Sequence, residues 1–457
     1  MALRSFIRNR DGGVAPLLAL AAIPLMGFVG AAVDYSRASS VRAAMQAAGD
    51  ATALMLSKDA SSLSSAQISA NAPSIFNSNF DKSEAQGVQV TATYGQGTDG
   101  YSIVVKATAS INTKFVGLLG VSTINMSTSS TTNWSNSRLR VALVLDNTGS
   151  MSSAGKITAL KTATHNLLDQ LKKAATNPGD VYVSIIPFAK DVNAGASNYN
   201  QSWIKWSGSS DTWDENNGTC SKSGTSNKAA CVATGTCSKS SYTSKNSCQN
   251  ANGTWTFATW TPANHSTWNG CVMDRDQNYD TTNTTPSVGG TLFPAEQYNS
   301  CPTSIMGLSY DWTALNAKVD AMSPAGGTNQ AIGLQWGFQS LTNPPFTVPA
   351  MDPNYQYKQI IILLTDGLNT QDRWYGDGSN PSSQVDNRQT ILCNNVKAAG
   401  IILYTVQVNT AGTDPTSTLL QNCASDSSKY FLLTTSNAII TTFGQIGTSL
   451  VKLHLAK

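Results

Sequence analysis

Charge is scarce in this chain. Only 12% of its 457 residues are Asp, Glu, Lys or Arg, where a globular protein carries roughly 25%. Lys and Arg number 30 against 27 Asp and Glu, a formal net charge of +3, which argues against capture of a polyanion by bulk charge, so no nucleic-acid partner is expected. Histidine is rarer still: His165, His265 and His454 lie far apart, and no His-x3-His or Cys-x2-Cys spacing accompanies them. A zinc enzyme is left without ligands. No Gly-x-Ser-x-Gly elbow, phosphate-binding loop or dinucleotide fingerprint stands where its chemistry would need it. The polar surface must come from Ser, Thr, Asn and Gln, a composition that suits an extracytoplasmic protein. The 40% apolar content argues against disorder, and the length allows two to four domains.

Residues 14–33 hold no charge, with Arg4, Arg8 and Arg10 before them and Asp34 after them. About 20 apolar residues in helix rise ~30 Å, one bilayer crossing. The arginines place residues 1–12 in the cytoplasm and send the rest of the chain across. A cleaved signal peptide is the rival reading, with Gly30 and Ala32 as a small-residue cleavage site. The run exceeds the usual ~7–15-residue signal core, which favours a retained anchor.

The eight cysteines support export. Six of them, Cys220, Cys231, Cys237, Cys248, Cys271 and Cys301, crowd a Ser/Thr/Asn/Gly-rich segment. Within it Gly218-Thr-Cys-Ser-Lys-Ser recurs as Gly235-Thr-Cys-Ser-Lys-Ser, a period of 17. Six cysteines allow fifteen connectivities; the repeat favours the local pairs Cys220–Cys231 and Cys237–Cys248, leaving Cys271 with Cys301 and Cys393 with Cys423. The tryptophans of this segment, Trp203, Trp206, Trp213, Trp255, Trp260 and Trp268, read as core of a small disulfide-rich lobe in preference to a sugar-binding surface. Sequons at Asn133, Asn217 and Asn252 would matter only in a glycosylating secretory pathway.

Past Asp34, Val41, Met45, Ala48, Ala51 and Met55 recur at helical spacing. From Val88 the period becomes two: Val88, Val90, Ala92 and Tyr94 alternate, residues 96–100 turn, and Tyr101, Ile103, Val105, Ala107 and Ala109 alternate again, a hairpin with one buried face. Residues 127–137 read as a third strand running into a linker. Residues 141–145 are apolar throughout, as a strand buried on both faces requires. A helix with Ile157, Leu160, Leu167, Leu168 and Leu171 follows, then a strand over 181–188. After an interruption at 191–310 come a strand at 360–364, a helix near 390–399, strands at 401–408 and 430–433, and a last helix bearing Ile439, Phe443, Ile446, Leu450 and Leu453. Alternating strands and helices imply an α/β fold, a mainly parallel sheet covered on both faces.

Ligands of such sheets sit beyond the carboxyl ends of the strands, and the informative residues fall there. Asp146, Thr148 and Ser150 follow the first strand at i, i+2 and i+4. Gly326-Gly-Thr328 opens a helix, and Thr365-Asp366-Gly ends the strand at 360–364. Two carboxylates and three hydroxyls make an oxygen-only site suited to a hard cation, Mg²⁺ first, with Mn²⁺ or Ca²⁺ as alternatives. The competing structural reading makes Asp146 a helix cap and Asp366 a turn residue.

Asp-x-Thr-x-Ser, Gly-Gly-Thr and Thr-Asp-Gly in this order resemble the metal-ion-dependent adhesion site of von Willebrand factor type A domains. The resemblance covers 139–190 and 311–457. It implies that Thr148, Ser150 and Thr328 are hydroxyl ligands, that Asp146 and Asp366 act largely through bound water, and that one position is open to an acidic residue of a protein partner. Thr148 replaces the commoner serine and keeps the hydroxyl. The N-terminal part, with Arg10-Asp-Gly-Gly-Val-Ala, Val33-Asp34 and Ala47-Ala-Gly-Asp50-Ala51-Thr-Ala, resembles the TadE/TadG-like Flp (tight adherence) pilus-assembly family, whose TadG-type members end in a type A domain. Thr52 stands where that pattern has a second alanine. Leu18 occupies the position where a processed pilin would carry Glu, so a retained anchor is expected.

The expected organisation is therefore a tail (1–12), a transmembrane helix (13–33), a helix-plus-hairpin region (34–138), a type A domain (139–190 and 311–457) and a Cys/Trp-rich insertion (191–310). The resemblances imply an inner-membrane component of pilus assembly or adhesion that binds pilus or Tad machinery components through Mg²⁺ and is not an enzyme. A structural scaffold with an idle metal site is the alternative. A metal-assisted hydrolase is the third reading, lacking an evident general base.

Overall fold

The computed structural model describes residues 14–60, 63–97, 100–134, 137–175, 177–342, 344–353, 355–410, 412 and 415–455. The expected tail and the centre of the expected hairpin turn lie outside the described residues. The chain divides into two compact units between residues 136 and 137.

In the first unit a single helix, α1 (Val14–Asp59), carries both the charge-free run and the amphipathic stretch after it. Along the run the side chains of Leu20, Ile23, Leu25 and Phe28 are 62–76% exposed. After Asp34 the same helix buries one stripe, Val41, Met45, Ala48, Thr52 and Leu56. This corrects the expected face at its end, since Met55 is exposed and Ala51 only half-buried. Thr52 can be buried because its hydroxyl returns to Ala48 O (2.7 Å), an intrahelical bond that leaves no unpaired polar group. The stripe and α2 (Ser65–Asn79), through Ile68, Ala72 and Phe76, cover a three-stranded antiparallel sheet of β1 (Gln86–Gly97), β2 (Gly100–Asn112) and β3 (Thr123–Trp134). Tyr101, Ile103, Val105, Ala107 and Ala109 face inward, as the alternation requires. The third strand starts four residues earlier than expected, in register with β2 from Thr123 opposite Asn112.

The second unit is built on β4 (Ser137–Asp146), β5 (Val181–Phe188), β6 (Gln356–Thr365), β7 (Ile402–Val408) and β8 (Tyr430–Leu433). They lie in the order β5-β4-β6-β7-β8, all parallel. On one face Leu143, Val183, Ile362 and Val406 pack under α3 (Lys156–Ala174), α4 (Trp312–Asp320) and α8 (Ser436–Leu455). On the other, Val144, Ile186, Ile361 and Leu403 pack under α5 (Gln330–Thr342), α6 (Ser383–Ala398) and α7 (Thr418–Cys423). With both faces covered, the strands have no polar alternation to show. Helix α5 lies unusually close to the sheet: a β-carbon at Gly337 would stand 2.5 Å from Val144 Cγ2. Gly337→Val is therefore expected to cost about 1–3 kcal/mol through overpacking, read as a lower denaturant midpoint with unchanged slope.

The segment 191–310 is not wholly apart from the sheet. Val192–Asn193, Cys271–Val272 and Met306–Ser309 extend its β5 edge antiparallel. Its two repeats form matching ribbons, Gly218–Cys220 against Trp260–Pro262 and Gly235–Cys237 against Trp255–Phe257. The disulfides are Cys220–Cys231, Cys237–Cys248, Cys271–Cys301 and Cys393–Cys423, the pairing the repeat favoured. Trp213 and Trp268 are core, whereas Trp255 and Trp260 are half-buried and lie over the first glycine of each repeat.

Candidate metal site at the carboxyl edge of the sheet

The chain leaves β4 through α3 to β5 on one side, and returns on the other side of β4 as β6. The point where the order reverses lies between the ends of β4 and β6, where an open sheet leaves a crevice. Asp146 is the last residue of β4, and Thr365 the last of β6.

Asp146 is fully buried. Its Oδ1 accepts from the Thr148 N–H (2.8 Å), and its Oδ2 from the Thr365 hydroxyl (2.7 Å) and, at 3.4 Å, the Asp366 N–H. Ser150 Oγ donates to Asp366 Oδ1 (2.6 Å) and lies 3.0 Å from Thr148 Oγ1. Asp366 Oδ2 is ion-paired with the ammonium of Lys156, at the start of α3. Burial, and then the charge of Asp366, push the Asp146 carboxyl up to about 7. Among the described residues Lys156 is the one cation paired with either carboxylate, and it sits on Asp366, so the two buried carboxylates are short of positive charge.

The loops are held together by backbone bonds. Gly149 N–H donates to Gly326 O (3.0 Å), and Ala325 N–H to Asn147 O (2.9 Å). Gly326 has φ +83°, and a β-carbon there would stand 2.5 Å from the Tyr298 hydroxyl of the insertion; both the conformation and the contact require glycine. Thr328 is buried at the same edge, its Oγ1 3.9 Å from where a β-carbon on Gly367 would be, and its carbonyl accepts from Thr370 N–H (2.9 Å). The structure thus joins Asp146, Thr148, Ser150 and Asp366 by direct bonds. Thr328 stands nearby, its hydroxyl bonded to none of them among the described residues.

Sequence reasoning missed Lys156 and the insertion's rim, and it named Thr365 in the motif without its bond to Asp146. Lys156 carries no signal beyond opening the helix after the Asp-x-Thr-x-Ser turn. On the rim, Arg373 ties the loop after Asp366 to the insertion through Asp211 (2.5 Å) and Asp276 (2.9 Å), and Asn329 Nδ2 donates to the buried Asp274 (2.9 Å). No group of three or more His, Cys, Asp or Glu able to hold a metal exists among the described residues. The fit to a cation rests instead on the donor chemistry: two carboxylates short of positive charge and three hydroxyl oxygens on two loops, the set a hard divalent ion takes.

Residues 12–55 match the family model described as putative Flp pilus-assembly TadE/G-like. No curated protein matches the chain in sequence. Solved structures similar to it include the pilus adhesin SpaC from Lactobacillus rhamnosus GG, at 12% identity and TM-score 0.36, over 82% of this chain and 36% of that one. The vWF domain of the type V pili tip protein Mfa5 from Porphyromonas gingivalis is 9% identical with TM-score 0.36, over 68% and 95%. Proximal thread matrix protein 1 from the mussel byssus, with a zinc-occupied MIDAS motif, is 13% identical with TM-score 0.31, over 69% and 46%. The chain spans about a third of the SpaC chain it matches. Residues 12–55 thus match a TadE/G-like model, and the chain continues into an α/β unit with a parallel central sheet and a disulfide-rich segment at its edge.

Proposed function

We propose that this is a membrane-anchored, extracytoplasmic component of Tad/Flp pilus assembly or adhesion, whose type A unit binds a protein partner through Mg²⁺ held by Asp146, Thr148, Ser150, Thr328 and Asp366. The observation that carries the reading is the meeting of Asp146 and Asp366 with two hydroxyls at the sheet's reversal point, short of positive charge. The TadE/G-like match over 12–55 supports the pilus setting. A bound Mg²⁺, with Mn²⁺ or Ca²⁺ as substitutes, would supply the missing charge and a coordination position for a partner's carboxylate. The chain's own residues prepare that position. Thr365 and the Thr148 amide fix Asp146, Lys156 and Ser150 orient Asp366, and Gly326 brings the Thr328 loop against the Asp146 loop. Both carboxylates are engaged by donors, Asp146 by the Thr148 amide and the Thr365 hydroxyl and Asp366 by Ser150 and the Lys156 ammonium, which supports a reading of binding without catalysis. The organisation proposed is a cytoplasmic tail (1–12), a single inner-membrane span (13–33), the α/β region 34–138, and the type A domain (139–190 and 311–457) with the segment 191–310 as a rim beside its site.

One observation favours a second reading. The Lys156–Asp366 ion pair already closes part of the site, as a rigid scaffold with an idle metal site would need. The two readings separate on one experiment. Full-length protein in detergent, immobilised and offered assembled Flp pili and the solubilised assembly machinery, is expected to retain a partner in Mg²⁺ and to release it in chelator. Asp146→Ala is expected to retain none. Equal retention under all three conditions is the scaffold's result and overturns the metal-dependent one.

A further inference from the structure

The loop between β2 and β3 carries Phe115-Val-Gly-Leu-Leu-Gly-Val121 with no charged residue. A water-facing loop of this composition would be expected to fold inward, yet Leu118 is 87% exposed, and Phe115 and Val121 are 47% and 49% exposed. The loop is nonetheless held firmly. The Asp34 carboxylate accepts from three successive backbone amides, those of Lys114 (2.9 Å), Phe115 (2.8 Å) and Val116 (2.9 Å). Phe115 lies on α1 at Gly30, where a β-carbon would come within 2.4 Å of Phe115 Cβ. Gly30 precedes Asp34 by four residues, which is about 6 Å along a helix rising 1.5 Å per residue. Asp34, the residue that ends the charge-free run, thus draws an apolar loop back over the run itself.

We infer that Phe115, Leu118 and Val121 form a second membrane contact, an apolar foot that sinks into the outer boundary of the bilayer α1 crosses. The inference rests on the reading of residues 14–33 as a membrane span. Lipid is the occupant because the foot continues the apolar surface of the span. Ile23, Met26 and Val29 of α1 line one groove of about 630 Å³ together with Phe115 and Leu118. The depth agrees: amphipathic anchors bury their apolar side about 5–10 Å into the headgroup and acyl boundary. Lys114, exposed at the base of the loop, sets an ammonium at the headgroup level, where anionic lipid attracts it. A span held at one point can tilt and turn; a foot bound to it at Asp34 limits the angle at which the first unit leaves the membrane.

All eight cysteines are paired, so a single introduced thiol can carry a spin label. Leu118→Cys is labelled in the full chain, reconstituted into phosphatidylcholine–phosphatidylglycerol vesicles, with Leu25→Cys as the span control and Thr91→Cys as the water control. Val121→Cys repeats the test should Leu118→Cys fold poorly. The ratio of oxygen to nickel-chelate accessibility at position 118 is expected to approach that at 25 and to exceed that at 91 by about tenfold, as burial at interface depth requires. Asp34→Ala in the same background is expected to return the label toward water. A water-like ratio at 118 with a lipid-like one at 25 overturns the foot and leaves the span. A water-like ratio at 25 overturns the span, and the foot with it. Exclusion of both reagents at 118 means that protein covers the loop, and overturns the lipid assignment.

Discussion

Asp366→Ala is expected to lower the unfolding free energy of the sheet unit, measured in chelator, by about 3–5 kcal/mol, because it leaves the Lys156 ammonium buried without its counter-charge. The Asp366 side chain is fully buried and that of Lys156 is 10% exposed, so water screens the pair little. Asp146→Ala is expected to cost less, about 1–2 kcal/mol. It removes the acceptor for the Thr365 hydroxyl and the Thr148 amide, at roughly 1 kcal/mol each, but it also removes a carboxylate that burial and Asp366 make costly to charge. Lys156→Met combined with Asp366→Ala should recover much of the loss, since removing both partners of a buried pair is often close to neutral. Nine of the ten tryptophans lie between positions 203 and 374, so fluorescence during denaturation reports this unit. Equal losses for the two aspartates would mean that Lys156 is not the ion partner of Asp366 in solution.

Trp336→Ala is the second large effect, about 3–5 kcal/mol for truncating a fully buried indole. Trp336 projects from α5 toward the segment that interrupts the fold. Its ring centroid lies 4.2 Å from that of Phe293, 6.2 Å from that of Trp203 and 5.6 Å from that of Phe346. The cavity would open where the segment 191–310 meets the helix layer, so the segment should become susceptible to limited proteolysis before the sheet unfolds. Trp336→Phe keeps most of the contact and should cost clearly less. A Trp336→Ala protein with native denaturant midpoint and native protease resistance would show that the segment is held by its disulfides and sheet edge alone.

Strong periodicity and a good motif were readable in the chain. The alternation in β2 and the apolar run in β4 each place their residues as the structure does. Where polar groups do the structural work, the pattern is silent. β4 begins at Ser137, ahead of the apolar run, because Arg140 is buried under the Tyr357 ring with Pro349 O as its acceptor; a hydrophobic pattern reads that arginine as surface. α6 starts at Ser383, well before the expected 390, because its first turns are held by Asn369 bonded to Asp386 (2.8 Å) and Gln389 (2.7 Å), with Val385 the one fully buried apolar side chain there. The extension of the sheet by two-residue strands at Val192–Asn193 and Cys271–Val272 has no period to detect. At the site, the motif named the oxygen groups, whereas Lys156 reaches Asp366 across 210 positions, and no local spacing reports such a contact.

The most direct test of the account is a calorimetric titration of Mg²⁺ into the full chain in detergent with its disulfides intact, beside Asp146→Ala. The account predicts saturable binding of a single ion by the native protein and none by the variant, whose fold is expected to persist. No binding by the native protein, with the same unfolding temperature in Mg²⁺ and in chelator, would contradict it.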